Sequence, residues 1–92
     1  MLDGSTKVRQ STRQVSCKLD EEVAILNLER SVYFGLQGVG AHIWRTLENP
    51  VSVDDVCASV SEAFDVSAAR CRGDVEKFLG ELQEVGLVEA VK

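Results

Sequence analysis

The chain has little of what most enzyme sites are built from. There is one histidine, His42, and no Cys-x-x-Cys pair among the three cysteines Cys17, Cys57 and Cys71. A lone histidine with neither a second histidine nor a paired cysteine makes a poor metal or catalytic site, and zinc and thioredoxin-like chemistry have no signature. No nucleophile motif surrounds any serine. The glycines at 35, 38 and 40 lack a P-loop lysine and the G-x-G-x-x-G order, which removes the phosphate-loop reading. No apolar run approaches the roughly 20 residues of a membrane span. Residues 1–14 are polar and lack the apolar core of a secretion signal, so a cytoplasmic protein is expected. Internal repeats and linkers are absent. No catalytic residue, metal or cofactor is therefore expected.

Basic charge is also scarce where nucleic acid would need it. The net charge is −5. Residues 1–18 hold Lys7, Arg9, Arg13 and Lys18 against Asp3, whereas the rest of the chain has six basic residues against fourteen acidic ones. An acidic body opposes binding that depends on neutralising phosphates. The paired carboxylates Asp54-Asp55 and Glu21-Glu22 stand at the starts of a helix and a strand. At a helix start, acidic side chains favour the positive end of the dipole, which explains them without catalysis.

What is present is a single globular domain's worth of sequence, 45% hydrophobic and 27% charged,. Residues 1–12 are polar without period and read as a disordered tail, leaving 13–92 as the domain. Val15, Cys17 and Leu19 alternate with polar residues and predict a first strand, broken by Asp20-Glu21-Glu22. Glu22 to Leu28 predicts a second strand. Glu29-Arg30-Ser31 is a tight connection, and Val32 to Leu36 returns as a third. A helix follows from about Gly38 to Leu47, with Val39, Ile43 and Leu47 in line beside Trp44, and Asn49-Pro50 ends it. Ser52 and Asp55 form a capping pattern for a second helix with the stripe Val53, Val56, Cys57, Val60 and Phe64. Ser67 caps a third, carrying Ala68, Cys71, Val75, Phe78, Leu79, Leu82 and Val85, with Gly86 at its C-terminal cap. Residues 87–91 form a short apolar tail. Cys57 and Cys71 read as small core residues, and a disulfide between them is disfavoured in a reducing compartment. The expected fold is α+β and winged helix-turn-helix-like, with a three-stranded antiparallel sheet followed by three helices.

That outline raises winged-helix DNA binding as the alternative function. The charges oppose it. The predicted second helix, Ser52 to Asp65, holds Asp54, Asp55, Glu62 and Asp65 and no basic residue, and the third sums to −1. A third reading is a small subunit of a modification enzyme whose active site lies elsewhere. The remaining feature is Val32-Tyr33-Phe34-Gly35-Leu36, a short apolar strand followed by a helix and so exposed to being an unpaired sheet edge. Such an edge is a liability or a docking site for an extended peptide. Val75, Phe78, Leu79 and Leu82 of the third helix are candidates for the opposite wall of a groove. Periodicity alone does not separate groove residues from core residues, and alternation leaves open whether Tyr33 or Phe34 faces the groove. Lys77, Arg70 and Arg72 are candidates to attract carboxylates of the peptide.

The ordered set Val23-Ala-Ile-Leu-Asn-Leu, Tyr33-Phe-Gly-Leu-Gln-Gly-Val-Gly-Ala-His-Ile-Trp44, Ser52-Val-Asp-Asp-Val56 and Asp74-Val-Glu-Lys-Phe-Leu-Gly-Glu-Leu-Gln-Glu-Val-Gly-Leu-Val88 resembles the PqqD-like family. These are recognition elements of ribosomally synthesised and post-translationally modified peptides (RiPPs). The resemblance spans about residues 14–91. It is strongest to the stand-alone proteins of lasso-peptide pathways, through the Tyr-Phe-Gly-Leu strand end and the Gly-x-x-Ile-Trp helix. PqqD proper carries a Leu-Tyr-Pro-Glu-Gly-like strand where this chain has Ile25-Leu-Asn-Leu-Glu29, which points away from pyrroloquinoline quinone. The resemblance implies a non-catalytic protein that binds a precursor's leader peptide antiparallel to the third strand, at Val32, Tyr33, Phe34, Gly35 and Leu36, against Val75, Phe78, Leu79 and Leu82. It also implies a partner such as a transglutaminase-like leader peptidase or another modifying enzyme. Nucleic acid and membrane are not expected partners. A monomer or weak dimer is expected, because a free edge can pair with a second copy.

Overall fold

A computed structural model describes residues 4–12, 14–19, 22–29 and 31–91; the side chains of Leu19, Val32 and Ala68 also lie outside what is described. Asp20-Glu21 of the expected strand break, and Arg13, Arg30 and residues 1–3, therefore fall outside it. The elements are β1 (Lys7–Gln10), β2 (Gln14–Leu19), β3 (Glu22–Asn27), β4 (Val32–Leu36), α1 (Gly38–Thr46), β5 (Val51–Ser52), α2 (Val53–Phe64), α3 (Ala68–Glu84) and β6 (Val88–Val91). The fold is α+β with three helices among the described residues. The predicted three-stranded antiparallel sheet is present as β2-β3-β4. A second antiparallel sheet, β5-β1-β6, was not expected.

That second sheet differs from the expected disordered tail over residues 4–12, the part of 1–12 that the structure describes. Lys7–Gln10 forms a strand inserted between β5 and β6, with Val8 opposite Val51 and Ala90. Val8 is fully buried. Polar composition misled here because the segment is held by backbone groups, which composition does not record. Gly4 and Thr6 carbonyls accept from Asp54 N–H and Val53 N–H, both at 3.0 Å. They thereby satisfy donors that the start of α2 leaves open. Gln10 N–H donates to the Leu47 carbonyl (3.0 Å), and Ser11 N–H donates to the Leu87 carbonyl (2.8 Å). The Gln10 side chain donates to the Trp44 carbonyl at 2.8 Å. One polar strand thus ties together the end of α1, the start of α2 and the approach to β6.

The helices begin and end for the expected reasons. Ser52 Oγ accepts from Asp55 N–H at 3.1 Å, and Ser67 Oγ accepts from Arg70 N–H at 3.4 Å. Helix α3 stops at Gly86, whose φ of +81° is left-handed, and Leu87 N–H closes back on the Leu82 carbonyl at 2.9 Å. Glycine is favoured there because it has no Cβ to clash. Trp44, Ile43, Leu47, Val53, Val56, Val75, Leu79 and Leu87 fill the centre, over Ile25 and Val23 of β3. Two residues leave their predicted stripes: Val39 and Phe64 are both exposed, Val39 at an open groove and Phe64 edge-on against the His42 ring.

Asn27 was read only as a strand residue. It is buried, its side-chain amide donates to the Val85 carbonyl at 2.9 Å, and its Oδ1 accepts from Glu29 N–H at 2.9 Å. It fixes the β3–β4 turn, where Ser31 takes a φ of 53°, and joins that hairpin to the end of α3.

Candidate functional site

Strand β4 pairs with β3 on one side only, in the register Val23 to Leu36, Ile25 to Phe34 and Leu26 to Tyr33. Its other side is a sheet edge. The burial of its neighbours gives the phase that alternation left open. Phe34 and Leu36 pack against the core beside Ile25 and Val23. Tyr33 lies on the outer face and is 67% exposed, in a row with Leu26 and Val15. Gly35 is on the same outer face, and a Cβ placed there would meet no atom within 4 Å. Both the edge and the outer face beside Gly35 are open to another backbone.

At the C-terminal end of β4 the edge opens into a groove of about 440 Å³. Gly35 and Leu36 form its strand side, and Val75 and Phe78 of α3 stand opposite with Cys71. Val75 is buried and forms part of the floor, whereas Phe78 is half-buried and forms a wall. Of the predicted positions, Leu79 and Leu82 are placed elsewhere. They are 0% and 4% exposed, belong to the central core and do not line the groove. Helix geometry gives the reason: Leu79 is turned about 40° past Val75, away from Phe78, and Leu82 shares their face but lies about 10 Å further along the helix than Val75, past the end of the groove. The Val32 side chain lies outside what is described.

Helix α1 supplies groove residues that were not among the strand and third-helix candidates. Val39, Gly40 and Ile43 line the groove, as do Val60 of α2 and Val66 of the α2–α3 turn. A Cβ on Gly40 would lie 3.4 Å from Phe78 Cζ and 3.8 Å from Leu36 Cδ2. This glycine keeps open the gap between the strand wall and the helix wall. The sequence signal was the glycine pair at 38 and 40, but only Gly38 is explained by backbone conformation, with a φ of +55°.

The groove's charge is not the expected one. Among its described lining residues Asp74 is the charged group, and Gln37 is the other polar side chain. Arg72 points away, bonded to Asp54 at 2.6 Å and Glu76 at 3.0 Å. The Glu76 hydrogen bond and then the Asp54 charge hold its guanidinium even more firmly protonated than usual. His42 Nε2 lies 2.8 Å from Ser59 Oγ and its ring meets Phe64 edge-on. It bridges α1 and α2. No group of three or more metal-ligating side chains occurs among the described residues. The Cys71 thiol donates to the Cys57 carbonyl at 3.4 Å. Burial, then the adjacent Cys71, pushes the Cys57 thiol up, toward the unreactive protonated form,.

The family described as coenzyme PQQ synthesis protein D (PqqD) matches residues 22–88. The chain belongs to the PqqD family. The match takes in the hairpin, the groove and all three helices. Among solved structures, one described as TbiB1 in complex with the TbiA(beta) leader peptide is 31% identical. The match covers 88% of this chain and 94% of that one, with a TM-score of 0.83. A lasso peptide synthetase B1 complexed with the leader peptide is 20% identical, with 89% and 96% covered and a TM-score of 0.78, a likeness of fold. No curated protein matches the chain significantly. No helix among the described residues is long and apolar enough to cross a membrane.

Proposed function

We propose that this PqqD-family chain is a non-catalytic binder of the leader segment of a ribosomally made precursor, of the lasso-peptide kind, acting in the cytoplasm. The observation that carries the reading is the free β4 edge opening onto the apolar groove against α3, in a chain 31% identical to a protein solved with a leader peptide. An extended leader adds as a strand antiparallel to β4. About four backbone hydrogen bonds, at roughly 0.5–1.5 kcal/mol each, set its register. Side chains entering between Leu36 and Phe78, worth roughly 1.5–3 kcal/mol each, supply most of the specificity. After the cost of ordering the peptide, a dissociation constant of about 0.1–10 μM follows. The bound precursor is then presented to a leader peptidase or another modifying enzyme.

The test uses the TbiA(beta) leader peptide and duplex DNA as separate titrants. Leader binding with no DNA binding is expected. Salt-sensitive DNA binding without leader binding would favour the winged-helix alternative. Gly40→Leu fills the gap between Leu36 and Phe78 and is expected to weaken leader binding more than tenfold, about 1.4 kcal/mol, in a protein whose circular dichroism is unchanged. Gly35→Pro removes a strand donor at the edge. Unchanged affinity in both folded variants would mean that the peptide docks elsewhere.

A further inference from the structure

We propose that Asp74 makes the groove selective for a peptide carrying a cationic side chain two residues from its apolar anchor; this rests on the leader-binding reading above. The groove is apolar apart from two side chains. The amide of Gln37 is engaged, donating to Glu22 Oε1 at 2.6 Å. Asp74 has as its partner Arg70, one turn earlier on the same helix, at 3.9 Å, with the two side chains 82% and 77% exposed. An exposed pair of this kind is worth little and exchanges readily. Arg72, on the opposite side of the helix, is committed to Asp54 and Glu76.

A second cation brought in by the peptide therefore meets a carboxylate whose existing partner is weak, at the rim of an apolar groove that fixes where the peptide lies,. A neutral hydroxyl gains much less, since it exchanges one hydrogen bond to water for another. The net charge of −5 adds long-range attraction for a basic peptide,. Geometry gives the spacing. Asp74 precedes Phe78 by four residues, about 6 Å along the helix. An extended peptide rises about 3.3 Å per residue, and its side chains at i and i+2 share a face. An anchor against Phe78 thus places the i+2 or i−2 side chain at Asp74.

The experiment is a charge scan of the TbiA(beta) leader peptide, each residue replaced in turn by Lys and by Glu. Binding is measured by fluorescence anisotropy to the wild type, Asp74→Asn and Asp74→Lys at low and high salt. At one position Lys should bind about five- to tenfold more tightly than Glu. That preference should shrink in Asp74→Asn, reverse in Asp74→Lys and weaken with salt. A preference identical in all three proteins, or none at any position, overturns the inference while leaving leader binding intact. Failure of the unsubstituted and all scanned peptides to bind overturns the leader reading and this inference with it.

Discussion

The two sheets have equal numbers of strands and the same antiparallel pairing, yet they are finished in opposite ways. In β5-β1-β6 the strands come from the two ends and the middle of the chain, and their neighbours are helix ends. Val8 is sealed, Arg9 pairs with Glu89 at 2.7 Å, and the flanking carbonyls and amides are used by α1 and α2. In β2-β3-β4 the strands are consecutive, and one face carries the exposed row Val15, Leu26 and Tyr33. The first sheet closes the domain. The second is held by its inner face and leaves an edge and an outer face uncovered. Under the proposed function, the sheet that closes the domain is separate from the sheet whose free edge would take a peptide.

This division can be broken deliberately. Val8→Asp places a carboxylate with no partner in the sealed sheet and is expected to cost more than about 4 kcal/mol. Urea denaturation would show a largely unfolded population, whereas a truly disordered tail would give no change. Asn27→Ala attacks the anchor of the open sheet. It strands the Val85 carbonyl and the Glu29 amide, and a loss of about 2 kcal/mol is expected in the same assay. The protein should remain folded, with hydrogen exchange faster in the β3–β4 hairpin than in β1 and β6. Tyr33→Ser, on the outer face, should change stability by less than about 0.5 kcal/mol. A large loss there would mean that the outer face is covered by something in the folded protein.

Legibility in the sequence followed the same line. The open sheet was readable because its strands are consecutive and its turns local: β3 and β4 alternate, and the Ser52, Ser67 and Gly86 caps stand where sequence rules place them. The closed sheet was not, because β1 is polar, four residues long and paired with strands that arrive 43 to 84 residues later. No local period reports such a contact. Within the candidate site, the strand positions were legible as a set but not by face, since alternation gives two faces without saying which meets the core. On α3 the periodic apolar residues merged two surfaces. Val75 and Phe78 reach the groove, while Leu79 and Leu82 do not. The groove's third wall, Val39 to Ile43, passed as plain architecture because a glycine that keeps space open has the same letter as a glycine that turns the chain. Its acid, Asp74, has no mark in the sequence that separates it from the other charges of the third helix, and of the arginines proposed there Arg72 is held by Asp54 and Glu76.

The strand that ties the helix ends together also sets a timetable. Val8 leaves the ribosome early, but its partner Ala90 is 82 residues behind it. At about 5–20 residues per second the wait is roughly 4–16 s. The hairpin and the groove helices can be made in full during that interval, while the closing sheet still lacks β6. A nascent chain would thus own its open β4 edge before it owns its final stability, and anything that pairs with that edge early would meet a domain still waiting for its last strand.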